Sequence, residues 1–294
     1  MDKIIRCITS DGAVMASAID ASDIVFTAKK LHNLSRSATA ALGRLLCASS
    51  IMGAMLKQKE AFVNVTIKGG GEIGSVVAVS DSNGNVRGYV DNPDCPTEYY
   101  SNGKLNVAKA VGKDGNLTVM RDYGKGEPYV GQVEILSGEI AEDITNYYAT
   151  SEQIPSACAL GVLIDKEDGE VMLAGGLLIQ LLPGADENAA ERIEKNVAKL
   201  EPVTTMLAKG MTILDICKAA LEGFEVEVLD EYPVNYACGC SKKKLERYFC
   251  TLSDDDIRSL QDENGEIEAV CHFCNKKYTF DSEDVEALIK EKNA

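Results

Sequence analysis

The chain has 294 residues, with 46 acidic and 30 basic side chains and a formal net charge of −16. Its apolar fraction of 45% and charged fraction of 26% are those of a folded globular protein and exclude a chain that is disordered throughout. A field of this sign repels phosphate backbones and anionic lipid headgroups, so neither a nucleic acid nor a membrane is expected as a partner.

The predicted compartment follows from the ends and the apolar runs of the sequence. The first residues contain no long apolar stretch of the kind that a secretion signal needs. The longest apolar run, at 171–182, is too short to span a bilayer. We therefore expect a cytoplasmic protein, in which ten cysteines do not form a static disulfide framework.

Residues 1–182 alternate between strand and helix signals, and many of the strands are joined by short turns. Asp11-Gly12 and Asp81-Ser82-Asn83-Gly84 are typical hairpin turns. Because hairpins outnumber strand–helix–strand units, we expect an α+β fold with a largely antiparallel sheet. Helices are predicted at 35–57 and 139–148, and strands at 4–9, 13–19, 62–67, 74–80, 86–90, 117–120, 130–136, 157–164 and 171–182.

The character of the sequence changes after Pro183-Gly184. Two amphipathic helices are predicted at 185–200 and 211–221, followed by a short strand. We therefore divide the chain into an α+β core, a metastable helical linker and a small carboxyl-terminal domain, at 1–182, 183–234 and 235–294.

Four cysteines near the carboxyl terminus form two close pairs, Cys238-Gly239-Cys240 and Cys271-His272-Phe273-Cys274. Each pair can place two sulfurs on one metal ion, and two such pairs complete a tetrahedral shell. Zinc favours all-thiolate tetrahedral sites, so we predict one Zn²⁺ per chain in the reduced state. The predicted ligands are Cys238, Cys240, Cys271 and Cys274. His272 is expected beside the shell or at the surface rather than as a ligand.

The other six cysteines stand singly, mostly among apolar neighbours, and are interpreted mainly as small buried hydrophobes. They are Cys7, Cys47, Cys95, Cys158, Cys217 and Cys250.

The segment 235–294 is marginal in length for a self-sufficient core. Zinc binding contributes about 10–16 kcal/mol in small zinc-finger peptides, against a typical domain stability of about 5–15 kcal/mol. We therefore expect this domain to fold with zinc and to come apart without it.

Other sites have less support. Gly69-x-Gly71-x-x-Gly74 matches the dinucleotide fingerprint in form, but a strand rather than a helix is predicted after it. The basic residues near 242–247 and 276–277 are balanced by acidic neighbours and are interpreted as a solvated surface. With two histidines in the chain and four sulfurs closing the metal shell, we predict no catalytic or cofactor-binding residues and no enzyme activity.

Over essentially its whole length the sequence resembles the bacterial 33-kDa heat-shock protein family, which are redox-regulated holdase chaperones. At the carboxyl terminus the order and spacing of the two cysteine pairs match the family's zinc switch. Elsewhere the resemblance depends on residues 41–46, 86–90 with Asn92-Pro93, 137–143, 151–156 and 160–162.

The resemblance implies an ATP-independent holdase that is inactive when reduced and zinc-bound. It implies that oxidation converts Cys238, Cys240, Cys271 and Cys274 to disulfides and releases zinc, after which the linker opens. The implied partners are unfolded or partly unfolded client proteins under oxidative stress, with homodimer formation in the oxidised state. The family motifs identify no client-contacting residue more narrowly than the linker.

Four cysteines allow three disulfide pairings. We expect Cys238–Cys240 and Cys271–Cys274, because closing a loop over one or two residues costs less entropy than closing one over thirty, although a CxC ring can carry strain. Two other functions stay open at this point. A zinc-ribbon nucleic-acid-binding protein would bind in a salt-sensitive way, and a thiol oxidoreductase would turn over disulfide substrates.

Overall fold

The computed structural model describes residues 1–292 and confirms an α+β fold with antiparallel sheets. The described chain divides into two compact units, Met1–Ala237 and the residues from Cys238 onward. Residues 183–234, predicted as a linker, lie within the first unit. Their predicted metastability stays a prediction.

Two five-stranded antiparallel sheets form the frame of the first unit. The first sheet has the spatial order β10 (Val226–Pro233), β1 (Lys3–Thr9), β2 (Val14–Asp20), β9 (Val171–Leu181) and β8 (Ser156–Ile164). The second has the order β5 (Val86–Val90), β4 (Ser75–Asp81), β3 (Phe62–Lys68), β6 (Asn116–Asp122) and β7 (Tyr129–Glu134). Among them, β4 is the strand that was predicted after Gly74 and that argued against a dinucleotide fingerprint.

The helices of the first unit pack against these sheets. They are α1 (Ser22–His32), α2 (Arg36–Ala54), α3 (Val107–Val111), α4 (Ala141–Thr150), α5 (Glu187–Val197), α6 (Val203–Ala208) and α7 (Ile213–Ala220).

Helix α2 is the centre of the first unit, and every residue in it except Arg36 and Arg44 is buried. Ser35 starts the helix by accepting a hydrogen bond from the amide of Ala38 at 3.3 Å. Its buried side chains join one core cluster with residues from both sheets. The sequence permits this burial because α2 consists almost entirely of small and apolar residues.

Helices α5, α6 and α7 cover the other face of the first sheet. Successive side chains of a strand point to opposite faces, so Ile4 joins the α2 cluster while Ile5 and Cys7 join the second cluster. In that cluster Ile193, Ile213, Ile216 and Leu221 are 0–7% exposed. All of its residues belong to the first unit, so the sheet covers the apolar stripe of the predicted linker.

Helix α1 was not predicted, and its amino terminus shows why. The N-cap residue is Ala21, whose methyl side chain cannot accept a hydrogen bond from the first amides of the helix. Instead, the carboxylate of Asp2 accepts hydrogen bonds from the amides of Asp23 and Ile24 at 3.0 and 2.7 Å. Asp20 accepts the amide of Ser22 locally at 3.1 Å. The cap of the next two amides comes from Asp2, the residue before β1, which is about twenty residues away in the sequence and leaves no local signal.

The second unit is smaller. It contains α8 (Lys242–Phe249), α9 (Asp254–Ser259), the hairpin β11 (Ile267–Val270) and β12 (Lys277–Phe280), and α10 (Ser282–Lys292). Among the residues of this unit that the structure describes, eight form its buried core cluster: Phe249, Ile257, Ile267, Tyr278, Phe280, Val285, Leu288 and Ile289.

Across the described residues 1–292, no helix is both long and apolar enough to cross a membrane.

Candidate metal centre

The second cysteine pair lies in the loop of the β11–β12 hairpin. Cys271 donates its amide to the carbonyl of Lys276 at 3.0 Å, and its own carbonyl accepts the amide of Asn275 at 2.8 Å. Asn275 has a φ of +54°, a left-handed conformation that asparagine adopts more readily than most residues. This tight turn holds Cys271 and Cys274 on one side of the loop.

The first cysteine pair precedes α8. Ser241 caps that helix by accepting the amide of Lys244 at 3.3 Å, so the chain turns into the helix directly after Cys240. The Lys244 ammonium donates to the carbonyl of Gly239 at 2.6 Å, between the two cysteines. Helix α8 and the hairpin loop together bring the two pairs to one point.

The four sulfurs lie within 4.8 Å of one another. Cys238 Sγ is 3.7 Å from Cys271 Sγ, and Cys240 Sγ is 3.4 Å from Cys274 Sγ. A tetrahedral shell with Zn–S bonds of about 2.3 Å has sulfur–sulfur edges of about 3.8 Å. The separations and the donor set therefore fit a four-sulfur tetrahedral metal site.

The thiols of the cluster differ in acidity. Burial raises the pKa of Cys238 to about 12. Burial also opposes ionisation of Cys240, but hydrogen bonds from the Tyr278 hydroxyl and the neighbouring thiols outweigh it and lower the pKa of Cys240 to about 7. Within the cluster, Cys240 is therefore held as a thiolate more readily than Cys238.

Tyr278 is a residue of the site that the sequence analysis missed. It lies on β12, and its hydroxyl is 3.1 Å from Cys240 Sγ. Its ring belongs to the core of the second unit, so it joins the sulfur cluster to the apolar cluster. An aromatic residue four positions after Cys274, in a strand-like alternation, was the signal for it.

His272 and Cys250 lie outside the sulfur group, as expected for both. His272 is exposed and is not a member of the group. Cys250 is half-buried against the core of the second unit. Of the other single cysteines, Cys7, Cys47, Cys95 and Cys217 are buried, whereas Cys158 is half-buried.

The residues that precede Cys238 are tied into the first unit. The amide of Val86 on β5 donates to the carbonyl of Asn235 at 3.0 Å, and the amide of Ala237 donates to the carbonyl of Val86 at 2.9 Å. The Tyr236 hydroxyl donates to the carbonyl of Gly88 at 2.9 Å and lies 3.2 Å from His32 Nε2. We call residues 234–237 the latch segment.

Comparison with known proteins gives a consistent result. The family model described as Hsp33 protein matches residues 2–281. The 33 kDa chaperonin of Clostridium perfringens (strain SM101 / Type A) is 45% identical over 99% of this chain and 92% of its own length. That of Clostridioides difficile (strain 630) is 45% identical over 99% of both chains. The crystal structure of the 33 kDa chaperonin from Thermotoga maritima superposes with a TM-score of 0.90 at 34% identity, covering 99% of this chain and 98% of that one.

Proposed function

The chain belongs to the Hsp33 family, and on that premise we propose that it is a redox-regulated, ATP-independent holdase of the cytoplasm. The observation that supports the proposal most directly is the cluster of four sulfurs at tetrahedral separations in a unit with a small apolar core. In this proposal the reduced, metal-bound chain is inactive, and the oxidised chain holds unfolding client proteins.

The proposed ligands are Cys238, Cys240, Cys271 and Cys274, and the proposed metal is one Zn²⁺ per chain. When bound, zinc would hold the four sulfurs as thiolates and supply most of the stability of the second unit. The turn at Asn275 and the capped start of α8 position the cysteines for this role. Four protein sulfurs fill the shell, so the site is proposed to be structural and regulatory rather than catalytic.

Oxidation is proposed to dismantle the site. Four thiolates lose four electrons and form two S–S bonds, while two molecules of hydrogen peroxide take up those electrons and four protons and leave as four waters. The sulfurs then no longer carry the charge that binds the metal. The proposed pairing is Cys238–Cys240 and Cys271–Cys274, since each closes a short loop. Peptide mapping of oxidised protein that found mainly links between the two pairs would contradict it.

The linker is proposed to transmit the change. Helices α5 to α7 and strand β10 cover one face of the first sheet, and the latch segment joins them to Cys238. Once the second unit unfolds, the latch segment is attached to a disordered chain, and its hydrogen bonds alone must hold it in place. Opening of residues 183–234 would expose the apolar stripe as a surface for clients, in a protein whose net charge of −16 favours solubility.

Light scattering of an aggregating client protein tests the proposal. Oxidised protein, without ATP, is expected to suppress aggregation at near-stoichiometric ratios, and reduced zinc-loaded protein to suppress it weakly. Oxidised protein with Cys238, Cys240, Cys271 and Cys274 all replaced by serine separates disulfide formation from simple loss of metal. Equal suppression by the reduced and oxidised wild-type protein would overturn the redox switch.

A further inference from the structure

Three of the four sheet edges of the first unit, those of β10, β5 and β8, are protected to different degrees. An exposed strand edge offers unpaired amides and carbonyls to other chains, and proteins usually blunt it with charges or proline. Edge strand β10 carries Glu227, Asp230, Glu231 and Pro233, and the latch segment pairs with β5 at Val86. Edge strand β8 has the sequence SACALGVLI, without a charge or a proline in nine residues.

Strand β8 is apolar but only half-buried. None of its residues is fully buried, and Leu163 is 36% exposed, whereas the adjacent strand β9 is buried from Ala174 to Gln180. A strand of this composition is normally covered on its faces and paired on both edges. The partly exposed edge of β8 is therefore a candidate surface for pairing with another strand.

The register shows which backbone groups of β8 are open. The amide of Leu181 donates to the carbonyl of Pro155. By the antiparallel alternation, the backbone amides and carbonyls of the odd-numbered residues of β8 therefore point toward β9. The amide of Cys158 points the other way and donates to Thr145 Oγ1 of α4 at 3.1 Å. The amides and carbonyls of Leu160 and Val162 point outward by the same alternation, and within the described residues no backbone hydrogen bond beyond the sheet reaches them.

A groove of about 370 Å³ runs along this open edge. Its walls come from the start of α2, the loop 99–105, the turn after β8 and the start of α6. Arg36 joins two of these walls, because its guanidinium donates to the carbonyl of Lys166 at 2.7 Å and to the Tyr99 hydroxyl at 3.4 Å. Residues 160–164 of β8 line the groove, and a strand of five residues is about 16 Å long.

The groove is basic in a protein that is otherwise acidic. Four cations line it, Arg36, Arg44, Lys104 and Lys166, against the carboxylate of Asp165 and that of Glu139, which pairs with Arg44. Arg44 forms an ion pair with Glu139 at 2.5 Å, yet its buried Nε has no hydrogen-bond partner in the described structure. Such a groove attracts chains that carry carboxylates.

We propose that the β8 groove binds an extended segment of another polypeptide as an added strand, with the segment's acidic side chains against these cations. Backbone hydrogen bonds to Leu160 and Val162 supply affinity for any extended chain, and the cations select acidic ones. The proposal rests on the proposed holdase function, since the segment would come from an unfolded client, and it adds a site outside the linker.

Backbone methylation of a peptide probe tests the added strand. The probe is a labelled seven-residue peptide of alternating valine and glutamate, titrated into full-length reduced, zinc-loaded protein and followed by fluorescence anisotropy. Two N-methylated versions block either the odd or the even amides. One version is expected to lose binding and the other to retain it, because only alternate amides of a strand face β8. Equal binding of both methylated versions would overturn the proposal, whether both are weakened or neither is.

Amide exchange locates the site. The amides of Leu160 and Val162 are expected to exchange fast in the free protein and slowly with the peptide, while those of Ala159 and Gly161 change little. Slow exchange that depends on protein concentration alone would assign the edge to a second copy of the chain and overturn the peptide assignment.

Charge reversal tests selectivity. The double variant Lys104→Glu, Lys166→Glu is expected to weaken the glutamate peptide about tenfold or more, and Lys125→Glu, an exposed lysine elsewhere, to leave it unchanged. An unchanged affinity in the double variant would refute the role of the cations.

If peptide binding fails while oxidised protein still prevents client aggregation, the β8 groove is wrong and the holdase proposal stands. If the peptide binds as expected but oxidised protein does not prevent client aggregation, the holdase proposal is wrong and the β8 groove stands as a peptide-binding site.

Discussion

The first unit buries α2 almost completely among side chains of two five-stranded sheets. The second unit, as far as the structure describes it, has eight buried core residues and one two-stranded hairpin. Burial of apolar surface stabilises the first unit by roughly 25 cal/mol per Å², so this unit does not depend on a metal for its stability. The second unit has too few buried apolar side chains to be stabilised by apolar burial alone. In the proposed function, zinc held by the four cysteines supplies the missing stability, and thiolates are the form of cysteine that oxidants attack. The four-sulfur cluster, which is the proposed target of oxidants, therefore lies in the unit with the smaller apolar core.

Removing one sulfur should affect the second unit most. Cys271→Ser is expected to lose zinc and, with it, most of a stabilisation of about 10–16 kcal/mol, so residues 238–292 should unfold while the first unit stays folded. Zinc content and amide exchange of the reduced protein measure both effects. Cys250→Ser is the matched control, because Cys250 lies outside the sulfur group. If it lost zinc as fully as Cys271→Ser, the ligand assignment would be wrong.

A cavity under α7 should destabilise the first unit. Ile216 is completely buried against the first sheet, so Ile216→Ala is expected to cost about 2–5 kcal/mol. The reduced variant should also hold clients better than reduced wild type, since its linker opens more easily. Chemical denaturation and client light scattering measure these effects. Lys218→Ala, an exposed change in the same helix, should stay within about 0.5 kcal/mol. If Ile216→Ala is destabilised but, when reduced, holds clients no better than wild type, linker opening is not what activates holding.

Loosening the latch segment should have a smaller, local effect. Tyr236→Phe removes the hydroxyl that contacts the amide and carbonyl of Gly88, with an expected cost of about 1–3 kcal/mol. Faster exchange of the Ala237 amide would report it. Tyr248→Phe, at a side chain that is 61% exposed, is the control and should leave that amide unchanged. Equal exchange in Tyr236→Phe and wild type would show that the hydroxyl does not hold the segment.

The smallest effect concerns pH and the first unit alone. Burial raises the pKa of Asp2 to about 6, although two backbone amides donate to its carboxylate. Between its ordinary value and about 6 the folded chain binds more protons than the unfolded chain, so this carboxyl lowers stability as the pH rises through that range. Asp2→Asn should remove this contribution. The difference in unfolding free energy between wild type and variant, measured from pH 4.5 to 7.5, should therefore shift against wild type with rising pH. A constant difference would contradict the raised pKa.

Local signals predicted most strands and the long helices of the first unit. Strands with alternating or apolar composition and clear turns, such as β3 and the β4–β5 hairpin, fall where expected. The cap of α1 by Asp2 and the pairing of β10 with β1 could not be predicted, because both join residues that are far apart in the sequence. The linker helices were predicted as amphipathic, but the surface that covers them is set by the tertiary fold.

The candidate site was predictable to a similar extent. Spacing alone identified the four cysteines, since each pair is a local motif, and the structure brings all four together. The contact of Tyr278 with Cys240 joins β12 to the loop before α8, so it depends on the tertiary fold and not on a local pattern. The open edge of β8 depends on which strand it pairs with, which no local pattern specifies.

Amide hydrogen exchange before and after oxidation tests the central claim most directly, namely that loss of the sulfur site opens the linker. The full-length protein would be compared in its reduced, zinc-loaded form and after treatment with hydrogen peroxide under mild unfolding stress. Fast exchange is expected at 238–292 and across 185–230, while β3 and β6 stay protected in the core of the second sheet. Loss of protection confined to 238–292, in protein that holds clients, would contradict the account.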